Sequence, residues 1–347
     1  MQETSKSGAP SLELGACNAL DLAKLLFAFI VVGIHQTPVV GDARIYSWLW
    51  MGRLAVPFFF VASAFLFFLR NPSRAELRKY VVRMLKLYGF WFVVMFPYTI
   101  YLRCDSYESI LWNAGHLLHL FVTDSTFGGS WFLAAMLISI PLVYFSERLI
   151  GLWGTLGLSL GVELFLQIYG WKSFLPHETV VLLTKINDAF PGVHTSFLAA
   201  MIYVSAGLLL ARYWSRVRRL PRRVAWGAAL AAVALMAAWI IYMEKATTLD
   251  SRSFMRVPAV VLLFIAIMRS DLTLPLPYHA LRKASTVVYI SHFLFIFLLL
   301  QVQKHILPQA LPHPVQYLAV LTASLLLTAL LIRLQRLPRL SWLKYAW

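Results

Sequence analysis

The sequence predicts an all-α protein, a polytopic bundle of about ten transmembrane helices whose two termini lie in the cytoplasm. Of the 347 residues, 60% are hydrophobic and only 13% are charged, whereas a soluble domain carries about 25% charged residues. The apolar residues fall in stretches long enough, or nearly so, to cross about 30 Å of hydrocarbon as helices. Lysine and arginine are concentrated in alternate connections between these stretches, as in a protein that crosses the membrane repeatedly.

The net charge of +16 also raises the alternative of a nucleic-acid-binding protein. The basic residues, however, lie between apolar segments, and they cluster at 70–88, 212–223, 269–283 and 333–344. Positive residues mark cytoplasmic loops, so we expect no nucleic acid partner. The expected surroundings are the lipid bilayer of the plasma (inner) membrane, with a multi-pass topology.

A polar arm over 1–16 precedes the first apolar segment, and the chain, 1–347, is predicted to form a single transmembrane domain. No signal-peptide cleavage pattern is visible, so the first segment is interpreted as a retained helix. The stretch 109–122 is short and contains two histidines, and it is interpreted as an interfacial or re-entrant piece. The predicted spans lie near 18–39, 48–69, 84–102, 129–146, 149–169, 193–211, 224–243, 254–268, 285–303 and 315–332.

The first predicted helix carries ionisable residues inside an apolar stretch. Lys24 and His35 are eleven positions apart, which places them nearly in line on a helix of 3.6 residues per turn. Asp21 lies within half a turn of the same stripe. Ionisable side chains within a bilayer face a bundle interior or a wet cavity, so this stripe is predicted to point inward.

A second set of polar residues lies at a depth comparable to that of His35. Arg53, Glu163 and Arg256 all fall inside predicted spans. Together with His35 they predict a polar site in the outer half of the membrane. Two structural alternatives stay open: a Glu–Arg pair within the bundle, and snorkelling of Arg53 to the nearby membrane surface.

The first two helices carry the most specific motifs of the chain. The first begins NALDLAK, an Asn-x-x-Asp-x-x-Lys pattern, and places His35 eleven residues after the lysine. The second reads RLAVPFFFVASA from Arg53, with Ala64 at its end. Both resemble the membrane acyltransferase-3 family, whose second helix has R-x-A-V-P-x-F-F-x-x-S-G and therefore glycine where this chain has Ala64.

Three looser motifs resemble the same family. Arg83 and Lys86 stand where the family has a basic R-x-x-R pair, and Trp131 is the tryptophan of a segment similar to its h-x-W-F-L element. The run 285–292 is similar to its S-x-x-x-Y-x-x-H pattern. Taken singly, these residues also suit a positive-inside loop, an interfacial tryptophan belt and interhelical hydrogen bonds.

The resemblance implies an enzyme that moves an acyl group, expected to be acetyl, from acyl-CoA to a hydroxyl of a carbohydrate or cell-envelope acceptor. His35 is the expected general base, acting directly or through an acyl-histidine. Glu163 is a candidate for orienting the imidazole, and Arg53 or Arg256 for stabilising the oxyanion. Acyl-CoA is the expected co-substrate, with no permanently bound cofactor and no metal.

The remaining candidates divide between the two substrates. Those expected to bind the acyl-CoA donor at the cytoplasmic side are Asp21, Lys24, Arg83 and Lys86. Those expected to contact the acceptor or to support the site are Asn18, Trp131, Ser285, Tyr289 and His292. Polar residues at mid-membrane also mark transport pathways, so a transporter or flippase of a small polar or glycan substrate is the alternative function.

Overall fold

The computed structural model describes residues 18–36, 48–105, 108–170, 175–190, 192–246 and 254–347. The predicted arm over 1–16 lies outside these ranges. Within them every regular element is a helix, and short 3₁₀ helices cover Val193–Thr195 and Pro338–Ala346. The α-helices are α1 (Asn18–Gln36), α2 (Trp48–Phe68), α3 (Arg74–Val94), α4 (Phe96–Arg103), α5 (Ile110–Thr123), α6 (Ser130–Gly170), α7 (His177–Ala189), α8 (Phe197–Val217), α9 (Arg222–Ala246), α10 (Arg256–Met268), α11 (Tyr278–His305) and α12 (His313–Leu334).

Six helices in the described ranges are long and apolar enough to cross a membrane: α1, α6, α8, α9, α11 and α12. A seventh span results if α3 and α4, which meet at a bend of 72°, are counted together. The described part of α2 and helix α10 are apolar but shorter. The all-helical, multi-pass architecture is therefore confirmed, while the number of ten spans and the cytoplasmic position of both termini stay predictions.

The connection predicted over 70–88 is largely helical, because α3 begins at Arg74. The Ser73 hydroxyl accepts a hydrogen bond from the Glu76 N–H (3.3 Å), and the Glu76 carboxylate accepts one from the Ser73 N–H (2.6 Å). This reciprocal capping box starts a helix efficiently. The span predicted near 84–102 is interrupted at Met95, and α4 begins at Phe96 with Pro97 in its first turn, a position where a helix tolerates the missing N–H of proline.

Helix α6 reverses direction at Gly151. A straight helix of 41 residues would be about 60 Å long at about 1.5 Å per residue, roughly twice the thickness of the hydrocarbon core. Gly151 has a φ of 73°, a left-handed conformation that glycine adopts without steric cost.

The contacts of α6 with α8 show the same reversal. Trp131, at the start of α6, lines a cavity together with Ala199 at the start of α8, and Glu147 forms an ion pair with Arg212 near the end of α8 (2.7 Å). Ser159 then hydrogen-bonds to Ser205, two turns back along α8 (2.7 Å). The first half of α6 therefore runs in the direction of α8, and the second half runs against it. This agrees with the prediction of two separate segments near 129–146 and 149–169.

Helix α2 lies at the centre of the hydrophobic core. The rings of Phe58 and Phe65 pack on Phe264 of α10, with centroids 5.9 and 5.1 Å apart. On the other side Phe59 meets the ring of Tyr289 on α11 at 5.6 Å. Offset and edge-on aromatic pairs of this kind add to the packing free energy of apolar surfaces.

Ala64, which departs from the glycine of the family pattern, faces a glycine on α8. A Cβ on Gly207 would lie 2.6 Å from the Ala64 Cβ and 2.8 Å from the Val61 carbonyl oxygen. The small residue that lets these two helices approach is thus supplied by α8. Close packing at this position is kept even though Ala64 has a side chain.

The ends of the helices define two ends of the bundle. Asp21 and Arg282, near the starts of α1 and α11, are bonded to each other, and His35 stacks on His292 further along both helices. The two helices therefore run in the same direction. The last turn of α1 and the first turns of α2, α6, α8 and α10 meet at what we name the site end, and the starts of α1 and α11 lie at the opposite, basic end.

Candidate active site

His35 lies in a cavity of about 260 Å³ at the site end. The imidazole is accessible from this cavity rather than enclosed by protein. The walls come from α1, α2, α4, α11, the start of α6 with the segment before it, and the segment just before α8, so no single motif could define them. The lining residues are Val31, His35, Val56, Tyr98, Arg103, Ser125, Gly128, Gly129, Trp131, Thr195, Tyr289 and Phe293.

A second imidazole lies directly behind the first. The rings of His35 and His292 are stacked, with centroids 5.3 Å apart and planes inclined by 27°. His292 is fully buried, and its Nδ1 lies 3.2 Å from the Val288 carbonyl oxygen. A carbonyl can only accept, so Nδ1 carries the hydrogen and Nε2 is left as an acceptor, without a hydrogen-bond partner among the described residues.

Phe293 holds this pair in place. Its ring centroid is 4.5 Å from that of His35 and 4.3 Å from that of His292. A Cβ on Gly128 would lie 2.3 Å from the Phe293 ring, and Gly129, with a φ of 74°, would place one at 3.1 Å. The glycines ahead of the predicted tryptophan motif are therefore needed because Phe293 packs against their backbone.

A second cavity, of about 190 Å³, adjoins the first and contains the two predicted membrane arginines. Val56 and Trp131 line both cavities and form the wall between them. The Nε of Arg256 is buried and makes no hydrogen bond with the described residues. The lining residues are Gly52, Arg53, Val56, Pro57, Phe60, Trp131, His194, Ala199, Tyr203 and Arg256.

Glu163 lines neither cavity. It is buried on the second half of α6, where one carboxylate oxygen accepts a hydrogen bond from Gln167 (2.7 Å) and the other has no partner in the described structure. The predicted layer of four polar groups is therefore divided: His35 faces one cavity, the arginines face the next, and Glu163 is elsewhere. The side chain stacked on His35 is that of His292.

Asp21 and Asn18, predicted to serve the substrates, make contacts between helices. The Asp21 carboxylate is buried and accepts hydrogen bonds from Nε and Nη2 of Arg282 at 3.0 and 2.8 Å. Asn18 donates to the Leu272 carbonyl (3.2 Å). Sequence reasoning assigned Arg282 to a positive loop, although its position just ahead of the 285–292 motif puts it beside Asp21. Ser285 in turn donates to the Arg282 carbonyl (2.8 Å).

Arg83 and Lys86 are exposed on α3, and the C-terminal 3₁₀ segment packs beside them. Trp91 donates from Nε1 to the Ala346 carbonyl (3.0 Å), and Lys86 Nζ lies 4.9 Å from the Tyr345 ring centroid. Lys283, next to Arg282, lies 4.2 Å from the Trp347 ring centroid. Lys24 is half-buried on α1. Ammonium groups and aromatic rings therefore alternate at the basic end.

Two polar groups in the wall of the His35 cavity have no local sequence signal. Arg103, at the end of α4, lies 3.7 Å from the Asp124 carboxylate. Thr195, in the turn before α8, donates to the other oxygen of that carboxylate at 2.8 Å. These residues are distant in sequence and meet only because three connections converge. Tyr289, which the sequence made a candidate for contacting the acceptor or supporting the site, is buried, and its ring centroid lies 5.3 Å from that of Phe132.

The fold and site define a polytopic helical membrane protein with an accessible histidine at one end of the bundle. The acyltransferase domain model, Acyl_transf_3, matches residues 18–333. The chain therefore belongs to the acyltransferase-3 family. The resemblance inferred from the first two helices is confirmed.

Two curated relatives show low sequence identity to this chain. An amino-acid racemase of Enterococcus faecalis is 24% identical over 347 aligned positions, which cover 93% of this chain and 47% of that protein. Another protein of that name and organism is 20% identical over 200 positions, covering 56% of this chain and 25% of the relative. The chain thus spans less than half the length of either relative. No solved structure matches it.

Proposed function

We propose that the protein transfers an acyl group, expected to be acetyl, from acyl-CoA to a hydroxyl of a carbohydrate or cell-envelope acceptor, with His35 as the general base. The observation that carries the proposal is the accessible imidazole of His35 in a cavity built by six parts of an acyltransferase-family chain. Racemisation is no part of the proposal, because the region shared with the racemases is less than half of each.

The chemistry needs one proton acceptor near the acceptor hydroxyl. His35 takes the hydroxyl proton while the oxygen attacks the thioester carbonyl, and a tetrahedral oxyanion forms. Its collapse breaks the carbon–sulfur bond, and the departing thiolate receives the proton from the imidazolium. A route through an acyl-histidine uses the same residue as nucleophile. Stacking on His292 and Phe293 restricts the His35 ring to one orientation.

The oxyanion is best stabilised by donors in the cavity that holds His35. Arg103 lines that cavity, as do Gly128 and Gly129 at the start of α6. A guanidinium and backbone N–H groups at a helix N-terminus both favour developing negative charge. Arg53 and Arg256 face the neighbouring cavity instead, so we assign the oxyanion to Arg103 and the glycine N–H groups.

The donor is expected to bind at the basic end. Lys24, Arg83, Lys86 and Lys283 supply cationic groups there, together with the aromatic rings of the C-terminal segment. Phosphates are bound by such ammonium and guanidinium groups. The thioester would reach His35 along α1, about 16 Å from Lys24 at about 1.5 Å per residue.

The test is the turnover of His35→Ala. Purified protein would be given radiolabelled acetyl-CoA and a cell-envelope extract as acceptor. Removal of a general base typically costs about 10²–10⁴-fold in rate, so we expect a loss of at least about 100-fold with unchanged insertion into membranes. His279→Ala, at an exposed position on α11, is the matched control and should keep its activity. Near-normal turnover of His35→Ala would contradict the role. Wild-type protein that consumes no labelled donor would favour the transporter.

A further inference from the structure

The proposed mechanism assigns no role to the cavity that Arg53 and Arg256 line. We propose that this cavity binds an anionic group of the acceptor, a carboxylate or a phosphate, while the hydroxyl to be acylated lies in the adjoining His35 cavity. The proposal rests on the proposed function for the statement that the ligand is the acyl acceptor. The binding of an anion rests on the cavity itself.

The residues around this cavity favour an anion. Arg53 lies near the start of α2 and Arg256 is the first residue of α10, and both line a space of about 190 Å³. No aspartate or glutamate is among the described residues that line it. Guanidinium groups form charge-assisted hydrogen bonds with carboxylates and phosphates, so an anionic group is the ligand that this lining suits.

Arg256 provides a donor that no described residue uses. Its Nε is buried and lacks a hydrogen-bond acceptor among the described residues. An unsatisfied buried N–H typically costs about 1–3 kcal/mol. A carboxylate or phosphate can accept two parallel bonds from one guanidinium, so such a ligand would satisfy this N–H directly.

The position of the cavity connects the anion to the reaction. Val56 and Trp131 line this cavity on one side and the His35 cavity on the other. A ligand that extends past these two side chains would therefore contact both cavities. Each cavity alone is smaller than the roughly 300 Å³ at which ordinary ligand pockets begin, and one elongated acceptor would use the two together. The CoA phosphates are expected at the basic end, which leaves these arginines to the other substrate.

A competing role for the same arginines is stabilisation of the oxyanion. That role would make their loss equally harmful with charged and neutral acceptors, because the oxyanion forms on the acyl group of the donor. An acceptor-binding role makes the loss depend on the charge of the ligand. Selectivity between matched sugars, measured without donor, therefore separates the two roles.

The experiment measures binding of three sugars to the purified full chain in nanodiscs, by ligand-induced thermal stabilisation. Glucuronate carries a carboxylate, glucose 1-phosphate carries a phosphate, and glucose is the neutral counterpart. We expect at least one anionic sugar to bind roughly tenfold or more tightly than glucose. Arg256→Gln should abolish this preference and Arg256→Lys should retain part of it. Arg333→Gln, at an exposed position on α12, should leave it unchanged.

Equal affinity for all three sugars, or a preference for anions that survives Arg256→Gln, would overturn the proposal. Selectivity for one anion over the other identifies the carboxylate or the phosphate as the group recognised. His35→Ala should keep the preference for anions while it loses acyl transfer. A failure of acyl transfer in the wild-type protein would therefore count against the proposed function, and a failure of anion selectivity against this inference alone.

Discussion

At the scale of single residues, the two stacked histidines differ in what they can do. His35 is accessible from the cavity, whereas His292 is fully buried and has its Nδ1 hydrogen committed to the Val288 carbonyl. The rings lie face to face, which is a packing geometry and not that of a hydrogen bond between the imidazoles. We therefore assign proton transfer to His35 and positioning to His292.

This assignment predicts different results for two substitutions of His292. His292→Phe keeps an aromatic ring against His35 and Phe293, so turnover is expected to stay within about tenfold of the wild type. His292→Ala leaves a cavity, which in a core costs about 2 kcal/mol or more, and turnover should fall further because the His35 ring loses its support. Thermal unfolding and acyl transfer from labelled acetyl-CoA would be measured on both. If His292→Phe were as inactive as His35→Ala, the Nε2 atom would have a chemical role.

The ion pair of Asp21 and Arg282 shows why residue type alone does not assign a role. A buried carboxylate in a membrane helix suggests a substrate site, but Asp21 is held by two hydrogen bonds from Arg282. A paired buried charge mainly fixes the contact of two helices, since its desolvation offsets much of the attraction. We therefore propose that the donor is bound by the cations around this ion pair.

At the scale of the elements, the contact of α2 with α8 depends on one small residue. Gly207→Ala would place a Cβ against Ala64 and the Val61 carbonyl, and backbone atoms cannot move aside as side chains do. Overpacking of this kind costs about 1–3 kcal/mol, so the unfolding temperature in detergent should fall.

The matched control for Gly207→Ala is Gly227→Ala on α9, where an added Cβ meets no atom within 4 Å. Alanine favours a helix over glycine by up to about 1 kcal/mol, so this variant should be neutral or slightly more stable. An equal decrease of both unfolding temperatures would show that the α2–α8 contact is not the cause.

At the scale of the whole molecule, the polar groups are separated along the bundle. The cationic and aromatic cluster lies at the basic end, and both cavities lie at the site end. The distribution of lysine and arginine predicts that the basic end faces the cytoplasm. A charged nucleotide such as CoA cannot cross lipid unaided, so we expect donor and acceptor to approach from opposite sides.

Sealed vesicles of known orientation would test this arrangement. Labelled acetyl-CoA offered to the cytoplasmic face should be consumed, with labelled product on the opposite face. Donor offered only to the outer face should stay intact, because it cannot reach the basic end. Product that forms and stays on the cytoplasmic side would contradict the crossing of the acyl group.

The sequence by itself determined the membrane-spanning helical class and the family, and it made His35 the candidate base. Each of these follows from local information: hydropathy over a span, and motifs within one or two helices. The reversal at Gly151 was also approximated, because Arg148 separates two apolar runs. The span boundaries were less accurate where a cap or proline resets a helix, as at Ser73 and Pro97.

Only the tertiary structure decided which polar groups share a cavity. Helical periodicity shows that His35, Arg53 and Glu163 point inward, but it does not relate the faces of different helices. Packing placed the arginines behind the Val56–Trp131 wall, buried Glu163 beside Gln167 on the second half of α6, and placed Arg103 in the wall of the His35 cavity. Contacts between segments far apart in the chain depend on how side chains of several helices fit together at once, and no local pattern records that fit.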